Sequence, residues 1–272
     1  MKQSKTIGII GLGNIGNAIA NCSGPPSIQW RTIGFDIDKK KCAKIKKLGI
    51  RIAKNSCELV KMSDIIILAV KPQEIGLVLN EIKNFLNRDK LIISVAAGIS
   101  TEYIERIVGK IRIIRVMPNI AILVKESASA ICRGKYATAH DEEIGCKIFS
   151  TMGKTFKVSE KFMDSVTALS GSGPAYFFEI INSFVKAGMR LGFSLGQAKN
   201  LVFQTARGAV KMLEQINNDP VALRKMVTSK RGTTIEGLKI LWDNHLEEIL
   251  IKAVSAAKKR AGQLAKFKDL SL

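Results

Sequence analysis

Two stretches of this 272-residue chain carry residue types and spacings suited to chemistry. The first is Gly11-Leu12-Gly13-Asn14-Ile15-Gly16, which directly follows the apolar run Thr6–Ile10 and precedes a helical pattern over residues 17–22. Each glycine of this G-x-G-x-x-G pattern meets a different physical demand. Gly11 permits a tight turn, Gly13 lets a pyrophosphate approach the backbone, and Gly16 allows close helix–strand packing. The helix start then offers unpaired N–H groups and the positive end of a dipole to the phosphates. Asp36, after the next apolar run, is placed to accept ribose hydroxyls and to repel a 2′-phosphate, which favours NADH. Lys39, Lys40 and Lys41 just beyond could neutralise such a phosphate, so NADPH stays open, and Asp38 also suits a plain helix N-cap. The second stretch is Ser229-Lys230-Arg231-Gly232-Thr233-Thr234-Ile235-Glu236. Thr233 and Glu236 have capping-box spacing, which predicts Thr233 as N-cap. The amides there, with Lys230 and Arg231, suit a carboxylate cradle, although two ordinary helix caps would show the same pattern.

Elements that could position these groups are legible. Short β-branched runs at 6–10, 32–35, 51–53, 64–70, 91–95, 112–116, 129–133 and 155–158 alternate with helical patterns. That alternation predicts βαβ units and a mainly parallel sheet with its ligand crevice at the strands' carboxyl ends. Beyond residue 160 the pattern becomes amphipathic helices over 174–191, 195–215, 220–227, 234–242 and 246–267. The fold class expected is therefore α/β, a Rossmann-like doubly wound sheet over 1–160 followed by an all-α domain over 161–272. The extensive apolar faces of those helices point to pairing with a second copy.

Composition narrows the classes of function. With 43 Lys and Arg against 23 Asp and Glu, the formal net charge is +20. The excess is shared by both halves, without the basic arm or block of a dedicated nucleic-acid binder. The longest aliphatic run, Ile65 to Val70, is too short to span a bilayer. Cys22, Cys42, Cys57, Cys132 and Cys146 form no C-x-x-C and read as reduced cytoplasmic thiols. Only His140 and His245 are available, so neither a metal site nor a histidine-based triad is expected.

Taken in order, several stretches resemble the pyrroline-5-carboxylate reductases, enzymes that reduce a cyclic imino acid to proline with NAD(P)H in the last step of proline biosynthesis. They are the glycine turn, Ala69-Val70-Lys71-Pro72-Gln73, Ser94-Val95-Ala96-Ala97-Gly98, Arg115-Val116-Met117-Pro118-Asn119, the run from Asp164 through Ser170-Gly171-Ser172-Gly173-Pro174 to Tyr176, and Val227 through Gly232-Thr233-Thr234 to Leu238. The resemblance implies a Rossmann-like domain followed by a helical domain that interlocks with a partner subunit, in a homodimer that some members assemble into a decamer. It also implies cofactor contacts at Leu12, Gly13, Asn14, Ile15, Gly16, Asn55, Ala69, Val70, Lys71, Pro72, Val95, Ala96 and Ala97. The substrate carboxylate would rest on Gly232, Thr233 and Thr234, with the Thr234 hydroxyl at the ring nitrogen and Glu160 lining the pocket. Lys230 and Arg231 depart from the family's usual proline and glycine, which opens the substrate range or the turn geometry to change.

Competing classes are separable. A β-hydroxyacid dehydrogenase would need a lysine four residues after the second glycine of its G-x-G turn, where Phe177 follows Gly173. An F420-dependent reductase would share the N-terminal half, and a dinucleotide-binding regulator would show no turnover.

Overall fold

Strand and helix alternate along the first part of the chain, as the β-branched runs and intervening amphipathic segments dictate. The computed structural model describes residues 5–22, 30–216 and 219–269. In order come β1 (Thr6–Ile10), α1 (Asn14–Asn21), β2 (Arg31–Phe35), α2 (Lys39–Lys46), β3 (Arg51–Ile52), α3 (Ser56–Met62), β4 (Ile65–Leu68) and α4 (Ile75–Ile82). There follow β5 (Leu91–Ser94), α5 (Thr101–Val108), β6 (Arg112–Met117), β7 (Ser127–Arg133), α6 (Ala139–Phe149) and β8 (Gly153–Lys157). Every one of the eight expected strands is present. They form one sheet in the order β3-β2-β1-β4-β5-β6-β7-β8. All neighbours run parallel except β6 and β7, which are antiparallel because only a short loop joins them.

The sheet buries both faces. Ile9, Ile67, Ile93 and Ile114 pack on one side with Phe149 of α6, while Ile10, Ile66, Leu68, Ile92 and Ile113 pack on the other with Leu59, Leu79 and Ile104 of α3, α4 and α5. Alternation along each strand thus serves two layers, which explains the unbroken Ile65-Ile66-Ile67-Leu68. Because β1 lies between β2 and β4, the direction of chain progress reverses there, and the crevice at that switch point lies between the loops after β1 and β4.

After β8 come α7 (Met163–Val166) and a single π-helical turn, Thr167–Gly171, closed by Ser172 N–H donating to the Thr167 carbonyl at 2.9 Å. Next are α8 (Gly173–Arg190), α9 (Leu195–Gln215), α10 (Pro220–Met226), α11 (Thr233–Asp243) and α12 (Leu246–Asp269). Compactness divides the chain differently from the sequence pattern: Gly173–Ala256 form one unit, and the rest, including the stretch from Ala257, forms the other. Residues 160–172 stay with the sheet because Met163 and Val166 pack on Ala130 and Cys132 of β7. Within the smaller unit α8 and α9 approach closely, a β-carbon on Gly188 falling 3.1 Å from that of Ala198. Its helices leave Phe177, Phe178, Phe184, Leu201, Val210 and Trp242 exposed.

Candidate functional site

The glycine turn shows which glycines the fold itself requires. Gly11 has φ +95, and a β-carbon there would stand 2.7 Å from the Ala69 carbonyl group. A β-carbon on Gly16 would come within 1.9 Å of the Gly11 oxygen. Gly13 is different: its φ is −66, and nothing lies within 4 Å of the position a β-carbon would take. No protein atom therefore demands glycine at that place. The open space above it adjoins the start of α1, where the amides of Asn14, Ile15 and Gly16 have no intrahelical acceptor. A pyrophosphate fits this cradle by shape and by charge.

Asp36 at the end of β2 turns back on that cradle. Its Oδ2 accepts from the Leu12 amide at 2.7 Å and from Lys41 Nζ at 3.4 Å, and its Oδ1 accepts from the Asp38 amide at 2.8 Å. Leu12 is buried in the core and offers its amide to Asp36. Asp38 caps α2 by accepting from the Lys40 amide, so the plain capping role coexists with the Asp36 contact. The loops after β4 and β5 complete the rim. The Ala69 amide donates to Ile10 at 2.8 Å, the Val95 amide to Leu68 at 3.1 Å, and the Ala96 amide to Ser94 Oγ at 3.4 Å. Lys71 is exposed, and Pro72 opens a short 3-10 turn. Gly11 to Gly16, Asp36, Ala69 to Pro72 and Val95 to Ala97 are thus gathered at the carboxyl ends of neighbouring strands. Asn55, beyond β3, is exposed and caps α3 by accepting from the Glu58 amide at 2.8 Å.

Glu160 has partners that sequence spacing does not reveal. Arg115 Nη1 donates to its Oε1, while its Oε2 accepts from Thr101 Oγ1 at 3.0 Å and from Cys132 Sγ at 3.2 Å. Burial first, then the charge and hydrogen bond of Glu160, push the Cys132 thiol well above the usual range. Nearby, Asn119 Nδ2 donates to Ser170 Oγ at 3.4 Å and Ser170 Oγ to the Ala128 carbonyl at 2.9 Å, tying two motifs together.

In the second unit, the Gly232 amide donates to the Ser229 carbonyl at 3.1 Å, closing a tight turn. Arg231 occupies its third position with φ +64, the left-handed region that favours glycine. The expected Thr233 cap is corrected: Gly232 is the N-cap of α11, without a side-chain hydrogen bond, and Thr233 is the first helical residue. Glu236 pairs with Lys239 at 2.7 Å instead of reaching back. A β-carbon on Gly232 would meet Ser229 Oγ at 2.4 Å and the Ser229 carbonyl oxygen at 3.3 Å, a crowding that rotation of the exposed Ser229 side chain largely relieves. The Gly232 amide is engaged within the turn, whereas those of Thr233 and Thr234 lie in the first helical turn without intrahelical acceptors. Lys230, Arg231, Thr233 and Thr234 are all exposed, and neither cation has an ion-pair partner among the described residues.

Comparison with known proteins finds matches to residues of both units. Residues 160–264 match the family description "Pyrroline-5-carboxylate reductase dimerisation", and residues 6–98 match "NADP oxidoreductase coenzyme F420-dependent". The chain is 38% identical to the pyrroline-5-carboxylate reductase of Methanosarcina acetivorans, covering 97% of this chain and 99% of that protein. It superposes on the pyrroline-5-carboxylate reductase of Coxiella burnetii with TM-score 0.90 at 32% identity, covering 97% and 99% of the two chains. It superposes on the Plasmodium falciparum pyrroline carboxylate reductase, solved with NADP bound, with TM-score 0.86 at 33% identity and the same coverage. Likeness of this extent, covering nearly the full length of both chains, places the chain in the pyrroline-5-carboxylate reductase family.

Proposed function

We propose that the protein reduces 1-pyrroline-5-carboxylate to L-proline. The observation that carries this reading is the match of both units to reductases of that name, with an open dinucleotide cradle at Gly13 in the first unit. When bound, a nicotinamide dinucleotide supplies the hydride. The first-turn amides of α1 hold its pyrophosphate, and the loops at Ala69 to Pro72 and Val95 to Ala97 flank its nicotinamide half. Asp36 places negative charge beside the adenosine ribose, which favours NADH, and Lys41 at 3.4 Å tempers that charge enough for NADPH to serve as well.

The turn before α11 receives the substrate carboxylate on the Thr233 and Thr234 amides, with Gly232 shaping the turn. The Thr234 hydroxyl hydrogen-bonds the ring nitrogen. A cyclic imine is partly protonated near neutral pH, and its iminium accepts hydride to give the secondary amine without a strong catalytic acid. Catalysis then rests mainly on orientation, which can supply several kcal/mol of barrier reduction, about 7 or more in well-aligned cases. Residues 161–272 pair two copies, their exposed aromatic side chains being covered in the homodimer. Among the described residues no helix is long and apolar enough to cross a membrane. Cys22, Cys42, Cys57, Cys132 and Cys146 are all free thiols, which accords with work in the cytoplasm.

Steady-state assay of purified protein with pyrroline-5-carboxylate tests the reading. Loss of reduced-nicotinamide absorbance is expected with NADH and more weakly with NADPH. Absence of loss with both cofactors overturns it and leaves a dinucleotide-binding regulator. Light scattering in solution decides between dimer and decamer.

A further inference from the structure

We infer that Glu160 is a positioning residue: through Thr101 it anchors the exit of the 95–100 loop that flanks the nicotinamide, and it is itself held by Arg115 on the strand next to the loop's entry. The inference rests on the cofactor placement proposed above. Arg115 lies in register with Ser94 of β5 on one side and Cys132 of β7 on the other. Ser94 ends its strand where the loop begins, and its Oγ accepts the Ala96 amide at 3.4 Å. Thr101 stands where the loop ends, as the first residue of α5, and its hydroxyl donates to Glu160 Oε2 at 3.0 Å. The carboxylate therefore holds the loop's exit directly through Thr101, while its partner Arg115 sits on β6, whose backbone is paired with Ser94 at the loop's entry.

The chemistry makes this clamp stiff. Arg115 is 3% exposed, and its Nε and Nη2 are buried without a hydrogen-bond partner. Among the described residues Glu160 is thus the only anion paired with this buried cation, and its withdrawal would leave the charge uncompensated in a poorly solvated place. Both carboxylate oxygens are engaged by Arg115, Thr101 and Cys132. Glu160 is thereby placed to act on the reaction through the loop.

The experiment compares Thr101→Val, Thr101→Ser and Glu160→Gln in the full-length protein. The dissociation constant of NADH is read by nicotinamide fluorescence, which needs no turnover, and kcat and both KM values are read by assay. Thr101→Val removes one donor while keeping Arg115 paired, so it serves if Glu160→Gln fails to fold. Displacing reacting atoms by a fraction of an ångström is expected to lower kcat about tenfold. NADH binding is expected to weaken several-fold, with the KM for pyrroline-5-carboxylate unchanged, and Thr101→Ser is expected to restore both. Wild-type NADH affinity in Thr101→Val overturns the inference. So does a Glu160→Gln protein in which only the imine's KM rises. Failure of the substrate reading would show instead as absent turnover in the unmodified protein, with the NADH measurement still deciding the role of Glu160.

Discussion

The Leu12 amide donates to Asp36 Oδ2 at 2.7 Å, joining the glycine turn to the end of β2. The carboxylate proposed to bias the choice of dinucleotide therefore also braces the glycine turn. Replacing Asp36 by Ala is expected to raise the KM for NADH by about tenfold or more, since a hydrogen bond to a charged group is worth roughly 1.5–3 kcal/mol, and that for NADPH by less, because the repulsion of its 2′-phosphate is relieved at the same time. Steady-state assays with both cofactors check this. A clean switch to NADPH at undiminished affinity would show that Asp36 acts only on the ribose.

Gly13 and Gly16 are expected to fail in opposite ways. With its β-carbon 1.9 Å from the Gly11 oxygen, Gly16→Ala should destabilise the protein by roughly 1–3 kcal/mol or more. Gly13→Ala has an ordinary φ and open space, so its thermal midpoint should stay close to that of the parent while NADH affinity collapses. Calorimetry beside a cofactor titration separates the two, and an unimpaired Gly13→Ala would remove the pyrophosphate from this cradle.

The turn before α11 makes two separable demands. Thr234→Ala is expected to lower kcat by at least about tenfold with cofactor affinity intact, and unchanged turnover would remove the hydroxyl from the mechanism. Arg231→Gly relieves a left-handed backbone at +64°. It should stabilise the protein by roughly 0.5–1 kcal/mol after the entropy cost of glycine is deducted. It should also raise the KM for pyrroline-5-carboxylate through loss of a nearby cation. Thermal melts and kinetics of the one variant test both statements.

Cys132 predicts a dependence on alkaline pH. Burial and then Glu160 raise its folded-state pKa above the unfolded value near 9.0. The stability gained by keeping the thiol protonated is whole below that value and is lost progressively as the pH climbs beyond it. In the native protein at about pH 9 the thiol should resist iodoacetamide while urea-unfolded chains react. Mass spectrometry of the labelled peptides reads the difference, and rapid native labelling of Cys132 would contradict the buried, hydrogen-bonded geometry.

Much of this arrangement was legible in the sequence because it follows from local rules. The β-branched runs marked all eight strands, and Ser194 and Asp219-Pro220 marked helix starts that the structure retains. Local spacing misled at Thr233, where the tight Ser229–Gly232 turn moved the cap back by one residue and left Glu236 to Lys239. It was silent on the Arg115 and Glu160 pair, which meets only after β6, β7 and the segment following β8 have been laid side by side. Nor could spacing show that the Leu12 amide faces Asp36, because that contact depends on the parallel register of β1 and β2.

The stretch from Ala257 onward belongs with the sheet unit although all of Gly173–Ala256 intervenes. During synthesis, a ribosome that has released every strand of the sheet still holds back part of that unit. What arrives last is the neighbour of Asp164 in α7: Gly262, on which a β-carbon would fall 3.4 Å from Asp164 Oδ2.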